Sequence, residues 1–207
     1  GEAYYVPQLA PLPSEHHPTQ WVGDRSVEWL EANGNQTEPF MLFTSFVHPH
    51  PPFSPPSPWH KLYRAPNMPY SLDLPDNEDF WVYTNWIQNR YKGKDQGTDR
   101  RLQQLIKSYY WASISFVDYQ LGRVFQALEE AGQLDNTLII FTSDHGEYLG
   151  DNNCFGKRSM HDSCARIPML AALPGTLEGG QTCDTPASLV DLSATFLQLA
   201  DSASETH

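Results

Sequence analysis

Residues 137–151 read Thr-Leu-Ile-Ile-Phe-Thr-Ser-Asp-His-Gly-Glu-Tyr-Leu-Gly-Asp. An uninterrupted apolar and β-prone run stops abruptly at Ser143, Asp144 and His145. Hydrophobicity without alternation predicts a strand over 137–142 buried on both faces. Upstream, Leu102, Leu105, Ile106, Tyr109, Phe116, Val117, Leu121, Val124, Phe125 and Leu128 recur at helical spacing. They predict one long helix over 99–131, with Gly132 at the position after its end. Earlier still, the run over 40–47 has the same continuous apolar character and predicts another doubly buried strand. Strand, long helix, strand is the pattern of a parallel sheet covered by helices. The expected fold class is therefore α/β, a mostly parallel sheet with helices on both faces. In such sheets ligands gather beyond the carboxyl ends of the strands, and both strands end in chemically loaded residues.

At the end of 137–142, Asp144 and His145 offer one carboxylate and one imidazole to a cation, and Gly146 lets the backbone turn. A compatible alternative is a helix N-terminus, with Ser143 or Asp144 as cap and Glu147 completing a capping box. At the end of 40–47 stand His48 and His50 in a proline-rich loop, where proline stiffness suits a preorganised site. Phe155-Gly156-Lys157-Arg158 follows Asp144 closely enough to return positive charge to the same pocket. A metal, a lysine and a histidine at one spot suit an anionic ester. Cations stabilise charge on the nonbridging oxygens, and a histidine can protonate the leaving oxygen.

Fourteen of the 17 prolines lie in residues 1–75, which predicts a loop-rich first third and a regular middle. Helices are expected over 19–33, with Thr19 as cap and Gly34 at the end, and over 187–199. A third strand is expected over 169–173, and 54–97 reads as irregular and rich in aromatics, among them Trp59, Tyr63, Phe80, Trp81 and Trp86.

With 207 residues, 40% hydrophobic and 18% charged, the chain can build a core, which excludes global disorder. A net charge of −12 argues against a nucleic-acid backbone as partner. No apolar run reaches the roughly 18 residues of a membrane span. The first residues show no signal peptide, and the compartment stays open. Cys154, Cys164 and Cys183 give no disulfide framework and read as small buried hydrophobes. Asn35-Gln36-Thr37 is a formal glycosylation sequon. The lack of H-E-x-x-H argues against a metalloprotease.

Taken together, four segments resemble the sulfatase family of the alkaline phosphatase superfamily. They are residues 39–59 with P-H-P-P-F, the helix with Asp118 and Leu121-Gly122-Arg123, residues 137–170 with S-D-H-G-E and G-K, and residues 188–200. The resemblance covers essentially the whole chain. It implies an alkaline-phosphatase-like fold and hydrolysis of sulfate monoesters, on carbohydrate or aryl groups, at a divalent cation. The family's usual cation is Ca²⁺; an imidazole ligand leaves Mn²⁺ and Zn²⁺ open. By motif, Asp144 and His145 resemble metal ligands, and His50 resembles the histidine on the ester and leaving-group oxygens. Lys157 resembles the lysine that bridges sulfate oxygens and leaving group. His48, Arg158 and His161 join them as candidate substrate-binding side chains.

The sequence also departs from the family. The nucleophile there is a cysteine in C-x-[PA]-x-R, converted to formylglycine, and none of the three cysteines has that context. The paired aspartates of an upstream strand are absent too. The expectation is a partial sulfatase catalytic domain over 1–207, incomplete at its N-terminus. Its residues 1–97 are expected to be proline-rich and loop-rich, and its residues 98–207 to carry the helix, strand and S-D-H-G-E motif. Such a segment would be inactive alone and would need an N-terminal segment or an oligomeric partner. A phosphonate monoester or phosphodiester hydrolase of the same superfamily is one alternative, and a non-catalytic metal-binding module another.

Overall fold

Helix α1 spans Pro18–Asn33. Pro18 at its first position has no N–H to leave unsatisfied. Its cap is His17, not Thr19: the His17 Nδ1 accepts the Thr19 N–H at 3.1 Å. Gly34 closes the helix with ordinary right-handed geometry (φ −64°). Helix α2, Arg100–Glu130, starts at Asp99, whose carboxylate accepts the Arg101 N–H at 2.6 Å. It ends in a Schellman turn. Gly132 takes φ +70°, its N–H donates to Glu129 O at 2.8 Å, and Gln133 N–H donates to Leu128 O at 3.1 Å. These two helices appear where the sequence predicts them, within a residue or two. The computed structural model describes residues 5–36, 38–73, 76–77, 83 and 99–200. Phe80, Trp81, Trp86 and the sequon's Thr37 lie outside them.

The helices meet around Gly23, where the side chain of Gln120 fills the space a Cβ would occupy. Gln120 is completely buried. Its Nε2 donates to Gln20 Oε1 at 2.8 Å and its Oε1 accepts from Arg123 Nη1 at 2.6 Å; Arg123 also pairs with Asp24 at 2.7 Å. Both the nitrogen and the oxygen of the Gln120 amide are thus partnered, as burial demands. Beside this network Leu30, Val124, Ala127 and Leu128 form an apolar cluster that Phe40, Leu42 and Ile139 complete. A second cluster of Phe53, Ile106 and Phe155 sits under the loops that carry the candidate site.

Strand β1 is Ile139–Thr142 and β2 is Met169–Ala172. They pair antiparallel, with Ile139 opposite Ala172 and Thr142 opposite Met169. Among the described residues this ladder is the whole sheet, so the expected parallel sheet is not seen and only its α/β composition is. Neither strand is fully buried: β1 is mostly half-buried and β2 exposed along its length. The segment expected as a strand over 40–47 is extended but has no ladder partner among the described residues. Phe40, Leu42, Thr44 and Phe46 turn inward, while Met41, Phe43 and Val47 are 67%, 81% and 72% exposed. A continuous apolar run specifies two apolar faces; which of them is covered depends on neighbours the run does not encode. A single turn, α3 (Asp162–Ala165), precedes β2. Helix α4, Leu189–Leu199, is held by a capping box between Ser188 and Asp191 and has no buried residue. Among the described residues no helix is long and apolar enough to cross a membrane.

Gly23→Ala places a Cβ 2.4 Å from the Gln120 Oε1. It should cost about 1–3 kcal/mol by overpacking, a fall in Tm of roughly 2–10 °C for a chain this size. Gly122→Ala, on the same helix pair but with open space around it, should hold or raise Tm, since alanine favours helix. Thermal unfolding of the two variants tests the close approach directly.

Candidate functional site

Beyond β1 the chain enters a loop, not a helix. The capping alternative for Ser143, Asp144 and Glu147 is therefore set aside. Ser143 Oγ donates to His145 O at 2.8 Å, and Asp144 Oδ1 accepts the His145 N–H at 3.0 Å. Gly146 serves a different purpose from the turn expected of it. Its N–H donates to Cys164 O at 2.8 Å, and a Cβ there would lie 2.0 Å from the Ser163 carbonyl oxygen. Glycine is needed for this backbone-to-backbone approach.

Two histidines have their tautomers set by carbonyl groups, which can only accept. His145 Nδ1–H donates to Gly146 O at 2.7 Å, so its Nε2 carries the lone pair when the ring is neutral. That Nε2 lies 3.5 Å from Asp144 Oδ2, the spacing of two neighbouring ligands on one cation. His50 Nδ1–H donates to Pro51 O at 2.8 Å, leaving its Nε2 to accept from Lys157 Nζ at 2.7 Å. The His50 and His145 rings are 5.9 Å apart, edge to face. Four residues read from three separate segments thus converge: His50, Asp144, His145 and Lys157. Asp144 is 84% exposed at its side chain and His145 27%. Two donors are fewer than the roughly six to eight ligands of calcium. Among the described residues no group of three His, Cys, Asp or Glu side chains could hold a metal ion. The pair fits one edge of a coordination shell.

The other candidates make different contacts. His48 turns to α1 and its cap: its Nδ1 is 3.1 Å from Thr19 Oγ1 and its ring centroid is 4.5 Å from that of His17, tilted by 37°. It is a buried tie between the loop and α1. Burial, then the neighbouring His17 charge, holds its pKa down at about 3. Burial also lowers the His17 pKa. His161 Nδ1 accepts from the Tyr148 hydroxyl at 2.9 Å, and Tyr148, which also bonds Ser159, is buried. Arg158 is exposed, with φ +123°.

Glu147 is the residue that sequence reasoning passed over. Its carboxylate accepts the Gly156 and Leu149 N–H groups. Burial raises its pKa; those hydrogen bonds and the charges of Lys157 and His50 oppose the rise. Its signal in the sequence is its place in S-D-H-G-E, which a capping box explains equally well. Of the cysteines, Cys154 and Cys164 are buried as expected and Cys183 is exposed.

A family model described as Sulfatase matches residues 3–202. An arylsulfatase of Clostridium perfringens (strain 13 / Type A) is 34% identical over 194 residues, covering 89% of this chain and 38% of that protein. An iduronate 2-sulfatase of Mus musculus is 30% identical over 178 residues, covering 81% of this chain and 32% of that protein. The chain therefore spans about a third to two-fifths of these relatives. Among solved structures, a phosphonate monoester hydrolase from Silicibacter pomeroyi superposes with a TM-score of 0.77 at 24% identity, over 96% of this chain and 43% of that one. This last likeness shows the fold.

The His17–His48 tie has a pH consequence. His48 is neutral when folded (pKa about 3) and titrates near 6.5 when unfolded. Its contribution to stability is present above pH ~6.5 and is lost as pH falls toward 3. Between pH 7.5 and pH 5 the loss should be about 2 kcal/mol. Urea unfolding at the two pH values measures it, and His48→Asn should flatten the difference.

Proposed function

This chain belongs to the sulfatase family, and from that premise we propose that it carries the leaving-group and cation side of a sulfuric ester hydrolase site. The observation that carries the reading is the Lys157 Nζ to His50 Nε2 contact at 2.7 Å, between residues far apart in sequence and next to His145. An ammonium beside a neutral imidazole can do two things for a sulfate monoester. It attracts the nonbridging oxygens, and it supplies a proton through Nε2 to the oxygen that leaves. As a nucleophile from outside these residues bonds to sulfur, the S–O bond to the leaving group breaks and its electron pair goes to the leaving oxygen, which takes the proton and departs as an alcohol or phenol.

Asp144 and His145 would hold a divalent cation, Ca²⁺ first, with Mn²⁺ and Zn²⁺ as alternatives for a nitrogen-containing ligand set. Such a cation would supply positive charge at the sulfate oxygens. The remaining ligands and the nucleophile lie outside these residues in this reading, because no cysteine here has the C-x-[PA]-x-R context. Sulfated carbohydrate is the favoured substrate class, in keeping with the iduronate 2-sulfatase among the relatives. A phosphonate monoester remains the second reading, since a hydrolase of that class shares the fold.

Steady-state assays on the full-length protein with an aryl sulfate, an alkyl sulfate and a phenylphosphonate ester decide between them. Sulfate esters should be the better substrates; preference for the phosphonate would install the second reading. Lys157→Ala should lower kcat by about 10²–10³-fold, the scale of one preorganised charge-stabilising donor. His50→Ala should slow the alkyl sulfate more than the aryl sulfate, because a phenolate needs less protonation. Calorimetry on the 207-residue chain should find Ca²⁺ and Mn²⁺ binding weaker than micromolar and abolished by Asp144→Ala. This chain alone should give no multiple turnover.

A further inference from the structure

We propose that Glu147 is the positioning residue for Lys157: its carboxylate fixes the turn that aims the ammonium at His50. The inference rests on the reading of Lys157 as the group acting on the ester. Lys157 is the first side chain after Gly156, and both peptide groups of Gly156 are pinned by consecutive residues of the S-D-H-G-E-Y loop. Its N–H donates to Glu147 Oε1, and its carbonyl accepts the Tyr148 N–H at 2.9 Å. The same Glu147 oxygen accepts the Leu149 N–H at 3.3 Å, so the carboxylate bridges the two limbs of the loop. Gly156 itself stands at φ +80°, and a Cβ there would come within 2.9 Å of Tyr5 Oη. The turn therefore has no side chain of its own with which to set its direction.

Farther along, Gly150 N–H donates to Cys154 O at 2.8 Å, so the excursion between Tyr148 and Gly156 is a closed loop. The loop ends adjoin the His145 side of the site through Glu147. One carboxylate thus ties the segment that offers the candidate cation ligands to the segment that offers the ammonium. Moving Gly156 by an ångström would move Nζ off His50, and misplacement on that scale costs about 10²-fold in rate.

The test uses the full-length protein and an aryl sulfate. Glu147→Ala should lower kcat about 10–100-fold with KM changed less than about threefold. Glu147→Gln keeps an oxygen acceptor for the two N–H groups and should stay within about fivefold of the parent. The double variant Glu147→Ala/Lys157→Ala should be no slower than Lys157→Ala alone, since a group that acts only through another adds nothing once that other is gone. If Glu147→Ala does not fold, Glu147→Asp, one methylene short of Gly156, takes its place under the same thresholds. Parental kcat in the shortened variant, a Gln variant as slow as Ala, or multiplicative losses in the double variant would each overturn the proposal. A Lys157→Ala enzyme with unchanged kcat would instead defeat the functional reading on which it stands, and the positioning role with it.

Discussion

The N–H of Gly146 reaches the carbonyl of Cys164 across 2.8 Å, with no room for a Cβ between the two backbones. The rest of the site hangs from that contact. It presses the loop after β1 against the turn of α3, and the chain between them must then fold back as a closed excursion. Tyr148 is buried inside it with Cys154 and Cys164. Lys157, on the returning limb, is brought back toward the strand end that the chain left at Thr142. Asp144 and His145 stay at the mouth because the backbone on both sides of them is already committed. Backbone hydrogen bonds at two glycines, Gly146 and Gly156, hold the loops that carry these side chains.

The periodic elements of this arrangement were legible in the sequence, and the contact-dependent ones were not. Helix α2 could be read because its apolar residues, from Leu102 to Leu128, recur as a wide stripe along the whole helix and Gly132 marks its end. Strands β1 and β2 could be located because apolar runs between breakers have few alternatives. Their direction could not, since pairing is a property of two segments and a run of residues describes only one. For the same reason His48 and His50, two residues apart in one loop, look equivalent in sequence. A proline-rich loop can face them apart, and here one binds Thr19 and the other Lys157. The convergence of His50, His145 and Lys157 was legible only through motif order. Glu147 was hidden because a capping box and a loop bridge use the same carboxylate.

Charge illustrates the same separation of scales. The chain carries a net −12, yet its candidate site gathers an ammonium and two imidazoles around one exposed carboxylate. Overall charge sets the long-range field, while a pocket is set by its own few groups within a Debye length of about 10 Å. The carbonyls of Pro51 and Gly146 do local work of a different kind. By occupying the Nδ1 protons they leave both Nε2 atoms as bases, so neither imidazole needs to be charged to sit beside Lys157.

The extended segment 40–47 carries a consequence for handling the molecule in solution. Its inward residues hold it against α1, and its outward ones are Met41, Phe43, Ser45 and Val47, beside a backbone without a ladder partner among the described residues. An exposed, uncharged edge of this kind is a template for pairing with another strand. No lysine or proline interrupts it between Met41 and Val47. The same segment that leads to His50 thus leaves outward the kind of edge that cross-β pairing uses. A charged gatekeeper at Val47, which is 72% exposed, is the substitution that would interrupt such an edge.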